Sequence, residues 1–120
     1  MGAWDVEPWD NDGAADWFGD FFRDLKVDEV QKAFEHYDDY EKIRAACFVL
    51  QTLGRVYVWP ASKLDELKVL LDQGIEHLTN MIHPPNDDWD FLEEWDDDPE
   101  VIQSVEKQIE ELKARRAGIA

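Results

Sequence analysis

Apolar residues recur at steps of three and four along most of the chain, the spacing that places them on one face of an α-helix. One such pattern predicts an amphipathic helix that ends before Pro84 and Pro85. Its inward positions are Leu64, Leu67, Leu70, Leu71, Ile75, Leu78 and Met81. A second helix is predicted to begin near Asp39, and its centre is almost entirely apolar, which is typical of a core helix. Its inward positions are Tyr40, Ile43, Cys47, Leu50 and Gly54.

The last helix is predicted to follow Asp98 and Pro99, because this pair combines an N-cap residue with a proline suited to the first helical turn. Its inward positions are Val101, Ile102, Val105, Ile109 and Leu112. Glu111 and Arg115 are four residues apart, so we expect them to form a surface ion pair on this helix.

Shorter helices are predicted in the first third of the chain. Asn11 or Asp12 is the expected N-cap of the first one. Its expected inward face contains Trp17 or Phe18, Phe21, Phe22 and Leu25. Asp28 is the expected cap of the next helix, in which Val30 and Phe34 face inward. Ser62 is expected to cap the helix that begins near residue 64, since Asp65 completes an approximate capping box.

Alternating polar and apolar positions, typical of strands, are nearly absent. We therefore predict an all-α fold, a compact bundle of five or six helices with an irregular, Trp-rich N-terminal segment. Gly54 to Pro60 is predicted to interrupt the helices. The length of 120 residues and the lack of a flexible linker favour a single domain over residues 1–120.

The charge balance is strongly acidic, with 29 Asp and Glu against 12 Lys and Arg and a net charge of −17. Such a charge repels nucleic acid and anionic membranes and speeds encounter with basic partners. It serves solubility equally well, so charge alone leaves both explanations open. Cys47 is the only cysteine, which excludes an internal disulfide, and its apolar neighbours predict a buried thiol. No basic leader with an apolar run is visible, so we expect a cytoplasmic protein.

Aspartates recur every four residues near the start of the chain, at Asp12, Asp16, Asp20, Asp24 and Asp28. On one continuous helix this aspartate ridge would present a single acidic strip. The strip is either the solvated back of an amphipathic helix or a surface for a basic partner. Asp16, Asp20 and Asp24 are therefore candidate partner-binding residues.

The acidic–aromatic segment, residues 87–98, contains eight acids and no base. Its acids are interleaved with aromatic side chains, which are common anchors of protein interfaces. The same aromatics would equally suit the buried side of a short helix. The candidate partner-binding residues here are Asp88, Trp89, Asp90, Glu93, Glu94, Trp95, Asp96, Asp97 and Asp98.

Catalytic and metal-binding motifs are weak in this sequence. An EF-hand loop built on Asp10 to Gly13 would need carboxylates at positions occupied by Pro8 and Gly19. The three histidines do not have a dense metal-binding spacing. No serine lies in a nucleophile elbow, and no Gly-rich phosphate loop is present. We therefore predict a protein that is not an enzyme, with no catalytic residue, no cofactor and no metal.

The chain opens with a signature formed by Gly2, Ala3, Trp4, Pro8, Asp10, Asn11, Asp12, Ala15, Asp16 and Trp17. This signature resembles the start of a bacterial family catalogued as domain of unknown function 4259. Trp9 stands where that family usually has Phe, and Asp5 and Glu7 replace its usual glycines. The stretch from Phe91 to Trp95 is similar to a later segment of the family. The resemblance implies no agreed activity and no catalytic residues.

Small acidic bacterial proteins of this kind are similar to immunity proteins, which bind and block a toxin; this step is an analogy. Our leading hypothesis is a non-catalytic, immunity-type protein that binds a basic protein partner such as a toxin domain. The alternative is a structural or adaptor module whose acidity serves solubility, including a homodimer that buries Trp89 and Trp95. A third hypothesis is a metal-dependent enzyme that uses scattered carboxylates and histidines.

Overall fold

The structure, a computed structural model, describes residues 12–23, 26–36 and 38–119. These residues form six α-helices: α1 (Asp12–Arg23), α2 (Asp28–Phe34), α3 (Tyr40–Leu53), α4 (Leu64–Ile82), α5 (Phe91–Glu94) and α6 (Pro99–Ala117). A 3₁₀ turn, Ala61–Lys63, precedes α4. No strand occurs in this part of the chain, so the predicted all-α class is confirmed. None of the described helices is long and apolar enough to cross a membrane.

Helix α4 lies at the centre of the core and packs against α6, α3, α2 and α5. Its innermost side chains are fully buried; these are Leu67, Leu71, Leu78 and Met81. Gly74 of α4 lies where side chains of α2, α3 and α6 approach the α4 backbone closely. A Cβ at this position would lie 2.9 Å from Leu112 Cδ1, 3.2 Å from Cys47 Sγ and 3.4 Å from Phe34 Cζ. Four helices therefore meet at a point where a side chain would displace a neighbour.

Cys47 is fully buried, as predicted, and burial raises the pKa of its thiol to about 12.

The predicted starts of α3 and α6 and the predicted end of α4 are confirmed. Asp39 caps α3, since its carboxylate accepts a hydrogen bond from the Lys42 backbone N–H at 3.1 Å. Asp98 caps α6 in the same way, accepting from the Glu100 N–H at 2.9 Å, with Pro99 in the first turn. Helix α4 ends at Ile82, just before the two prolines. These ends follow from local chemistry that is visible in the sequence.

Two predicted N-caps are wrong. Helix α2 begins at Asp28 itself, and Val27 occupies the cap position without a side-chain hydrogen bond. Ser62 lies within the 3₁₀ turn, so Lys63 is the residue that precedes α4. A 3₁₀ turn at a helix N-terminus shifts the start of the α-helix along the chain, and this separates Ser62 from the groups it was expected to cap.

The apolar face of α1 is only partly inward. Phe22 is buried and lies 5.7 Å from the ring of Trp59, and Phe18 is partly buried against the core. Trp17 and Phe21, by contrast, are 59% and 46% exposed, and their rings stack on each other at 5.0 Å. The predicted inward face is therefore confirmed for Phe22 and for Phe18 of the pair Trp17 or Phe18, and it is wrong for Phe21. One edge of the face meets the core, while the other edge points to solvent.

Several predictions concern residues outside the described part of the chain. They are the irregular N-terminal segment (residues 1–11), the cap at Asn11, and the positions Asp24 and Leu25.

Candidate functional site

The acidic–aromatic segment connects α4 to α6 and has a well-defined backbone. It follows a turn in which the Asn86 side-chain oxygen accepts a hydrogen bond from the Asp88 N–H at 2.9 Å. The single-turn helix α5 comes next, and then Asp96 and Asp97 adopt left-handed conformations with φ of 50° and 55°. The N–H of Asp97 donates to the carbonyl of Leu92 at 2.9 Å, which closes the turn after α5. Backbone hydrogen bonds therefore hold the segment in one conformation.

Tyr40, the first residue of α3, fastens this segment to the core. Its hydroxyl donates to Asp90 Oδ1 at 2.9 Å and accepts from the Asp90 backbone N–H at 3.0 Å. Only 5% of Tyr40 is exposed, and burial raises the pKa of its phenol to about 12. The sequence pattern predicted an inward position for Tyr40 but not its hydrogen bonds to Asp90. Its partner is fifty positions away, so no local pattern connects the two residues.

The aromatic residues of the segment divide into two groups. Phe91 is buried and meets the Tyr40 ring edge-on at 5.4 Å. Trp89 is half-buried, with its ring 6.3 Å from Tyr40 and 6.0 Å from His77. Trp95 is 46% exposed, although its ring lies 6.4 Å from Phe91. The prediction of a buried side is therefore confirmed for Phe91 and Trp89, whereas Trp95 remains exposed.

The carboxylates of the segment face solvent. Seven are exposed; they are Asp87, Asp88, Asp90, Glu93, Glu94, Asp96 and Asp97. Asp98 is half-buried and caps α6, so it has a structural role besides its candidate binding role. Within the described residues, no Lys or Arg forms an ion pair with any of these eight acids. The carboxylates around Trp95 are therefore not ion-paired by any Lys or Arg that the structure describes.

The aspartate ridge is not one continuous strip, so that prediction is wrong. Asp16 and Asp20 are exposed on α1, where Asp20 pairs with Arg23. Helix α1 ends at Arg23, and Asp28 belongs to α2, where its carboxylate lies 3.9 Å from Lys63 Nζ. The chain starts a new helix there because α2 buries its own apolar side chains against α3 and α4.

The two acidic groups meet different parts of the core. Helix α1 contacts Trp59 through Phe22, whereas α5 packs on α4 and, through Phe91, on Tyr40. Asp16 and Asp20 therefore belong to a separate surface from Trp95. Asp24 lies outside the described residues.

His77 is a half-buried titratable group beneath the segment. Its ring stacks on Phe34 at 5.4 Å and lies beside Trp89, and no described residue forms a hydrogen bond with Nδ1. Burial lowers the pKa of His77 below its ordinary value, although Glu76 and the Phe34 backbone oppose this shift. Among the described residues, no three His, Cys, Asp or Glu side chains are grouped so that they could hold a metal ion.

No protein-family model, curated protein or solved structure matches the chain. The resemblance of the N-terminal residues to domain of unknown function 4259 therefore stays a prediction. Most of the residues that carry it lie outside the described part of the chain.

Proposed function

We propose that this chain is a non-catalytic binding protein whose acidic–aromatic segment binds a basic protein partner, in the manner of an immunity protein that blocks a toxin. The observation that carries this proposal is the exposed ring of Trp95, which is surrounded by carboxylates without basic partners from the described residues. A tryptophan in such a position supplies apolar contact area, and the acids supply attraction to a positive surface.

The fixed backbone of the segment supports binding. Tyr40 holds Asp90 at both its carboxylate and its backbone N–H, and the turn after α5 is closed by backbone hydrogen bonds. A surface that is already ordered loses little conformational entropy when a partner binds. Asp96 and Asp97 adopt left-handed backbone conformations at a small energetic cost. Residues with such strained backbones are frequent at binding sites.

The charge of the segment favours a basic partner over self-association through the same surface. A symmetric dimer that buried Trp89 and Trp95 would bring the acidic segments of two copies together. Like charges across an interface cost several kcal/mol, on the order of what a few good contacts contribute. The homodimer alternative through these two tryptophans is therefore disfavoured by electrostatics.

Affinity capture from a lysate of the organism that encodes the chain tests this proposal. We expect the wild-type protein to retain a basic protein at low salt and to lose it at high salt. The triple variant Glu93→Lys, Asp96→Lys and Asp97→Lys should not retain it. This variant leaves the Asp98 cap of α6 intact.

The matched control is Asp65→Lys, Glu106→Lys and Glu110→Lys, which reverses three exposed acids outside the segment. It has the same net charge as the test variant and should retain the partner. Equal capture by the two variants would reject the segment as the interface. The immunity role requires, in addition, that the purified protein inhibits the activity of the captured partner; a partner whose activity is unchanged on binding would leave only an adaptor role.

A further inference from the structure

A concave groove lies between α2 and α3. Its volume is about 750 Å³, within the size range of established binding sites. Its apolar lining includes Phe22, Val30, Ala33, Ala46, Val49 and Leu53. The small alanine side chains of the two helices leave this space unfilled. The groove therefore has an apolar floor flanked by α2 and α3, a shape suited to binding an amphipathic helix.

The rim of the groove has an unusual charge for this chain. Lys26, Lys32 and Lys42 line it, against two acids, Glu29 and Glu35. Bases are thus in excess here, whereas acids outnumber bases 29 to 12 in the whole sequence. Lys32 lies 3.2 Å from Glu29 and Lys42 lies 3.6 Å from Asp39, and both pairs are exposed. Exposed pairs of this type are weak, so these lysines remain able to attract another negative group.

Helix α1 has the complementary properties. It presents the exposed, stacked rings of Trp17 and Phe21, and it carries exposed acids at Asp12, Asp16 and Asp20. Its 12 residues make a helix roughly 18 Å long. The part of α3 that lines the groove, from Lys42 to Leu53, spans the same number of residues and is therefore also roughly 18 Å long. An acidic, aromatic helix therefore matches a basic, apolar groove in both charge and length.

In its own chain, α1 contributes only Phe22 to the lining of the groove. The rings of Trp17 and Phe21 lie outside this lining, so α1 does not fill the groove of its own chain. We propose that two copies of this chain form a symmetric dimer in which α1 of each copy docks into the α2–α3 groove of the other. Such an exchange is self-complementary and closes on itself, because both copies contribute the same two surfaces.

The first experiment measures molar mass by sedimentation over a wide range of protein concentration. We expect a monomer–dimer equilibrium in the wild-type protein. The variant Trp17→Glu, Phe21→Glu should raise the dimer dissociation constant by about thirtyfold or more, as expected for the loss of two aromatic anchors. The matched control is Phe48→Glu, since Phe48 is 57% exposed and does not line the groove. A wild-type protein that stays monomeric at every concentration overturns the proposal, as does equal weakening by the control.

A charge exchange identifies the surfaces directly. One variant carries Asp16→Lys and Asp20→Lys on α1, and the other carries Lys32→Glu and Lys42→Glu at the groove. Each variant alone should be monomeric, because its helix and groove have the same sign of charge. An equimolar mixture should dimerise, since each α1 then meets a groove of opposite charge. A mixture that stays monomeric, or a variant that dimerises alone, contradicts the exchange.

The groove substitutions lie outside the acidic–aromatic segment. A failure of the dimer therefore leaves the proposed partner binding intact, and capture of the basic partner by the Lys32→Glu, Lys42→Glu variant separates the two outcomes.

Discussion

Replacing Tyr40 by Phe tests how firmly the acidic–aromatic segment is held. The change deletes one hydroxyl and keeps the ring against Phe91. It removes a hydrogen bond to the Asp90 carboxylate and another from the Asp90 N–H. A bond to a charged group contributes about 1.5–3 kcal/mol and a neutral one about 1 kcal/mol. Because Asp90 is exposed, water restores part of this, and we expect a net loss of about 2 kcal/mol.

For a chain of this length, such a loss lowers the midpoint of thermal unfolding by about 8 °C. Urea denaturation at neutral pH measures the free energy of unfolding itself. The control is Ser62→Ala, which deletes an exposed hydroxyl.

The pH dependence provides an independent check of the same contact. The unfolded chain loses the phenol proton near the ordinary pKa of 10.0, whereas the folded protein keeps it until about pH 12. The contribution of the neutral phenol to the free energy of unfolding is therefore fully present below pH 10 and is lost as the pH rises to about 12. The gap in stability between wild type and Tyr40→Phe should consequently close over this interval.

Absorbance of the phenolate follows the proton directly, because the difference between the wild type and the Tyr40→Phe variant isolates one of the three tyrosines. We expect a midpoint near 12. A midpoint at the ordinary value, or a variant as stable as the wild type at neutral pH, would refute the view that Tyr40 fastens the segment.

Urea denaturation of further variants tests three other parts of the structure: His77, the left-handed Asp97, and the helical glycines. Since burial lowers the pKa of His77, the unfolded state takes up a proton first as the pH falls below about 6.5, so wild-type stability should decline there and the decline should be smaller in His77→Gln. Asp97→Gly should raise stability by about 1 kcal/mol, because glycine adopts the left-handed conformation freely; Asp87→Gly, which removes an equal charge, should not. Gly74→Ala should destabilise by about 1–3 kcal/mol through overpacking, whereas Gly19→Ala, with nothing within 4 Å of the new methyl group, should stabilise α1 by up to about 1 kcal/mol. The opposite sign at either glycine would contradict the packing described.

Periodicity and helix-end chemistry were sufficient to predict most of the core. The buried positions of α3, α4 and α6 repeat at helical spacing, and Asp39, Asp98 and the two prolines mark the helix ends within one turn. These signals are local, so a single sequence contains them. The predicted pair of Glu111 and Arg115 is likewise local, and its side chains lie 3.4 Å apart.

Tertiary placement was not predictable in the same way. The amphipathic pattern of α1 shows that its aromatics share a face, but it cannot show that only one edge of the face, at Phe22, reaches the core. The four-residue spacing of aspartates likewise continues across the end of α1, although the helix does not. For the candidate site, the acids and Trp95 were predicted from composition. The link between Tyr40 and Asp90 depends on how α3 and α5 meet, and this is a property of the folded chain alone.

The meeting of four helices at Gly74 makes Cys47 a natural reporter of motion within the core. It is the only thiol of the sequence, and it is fully buried between helices. With a pKa of about 12, the thiol is almost wholly protonated at neutral pH and therefore unreactive while the helices remain closed. A thiol reagent can react only after α3 and α4 separate, so its reaction rate measures the free energy of that opening. The wild-type chain thus contains its own single-site probe of core dynamics, with no label to engineer.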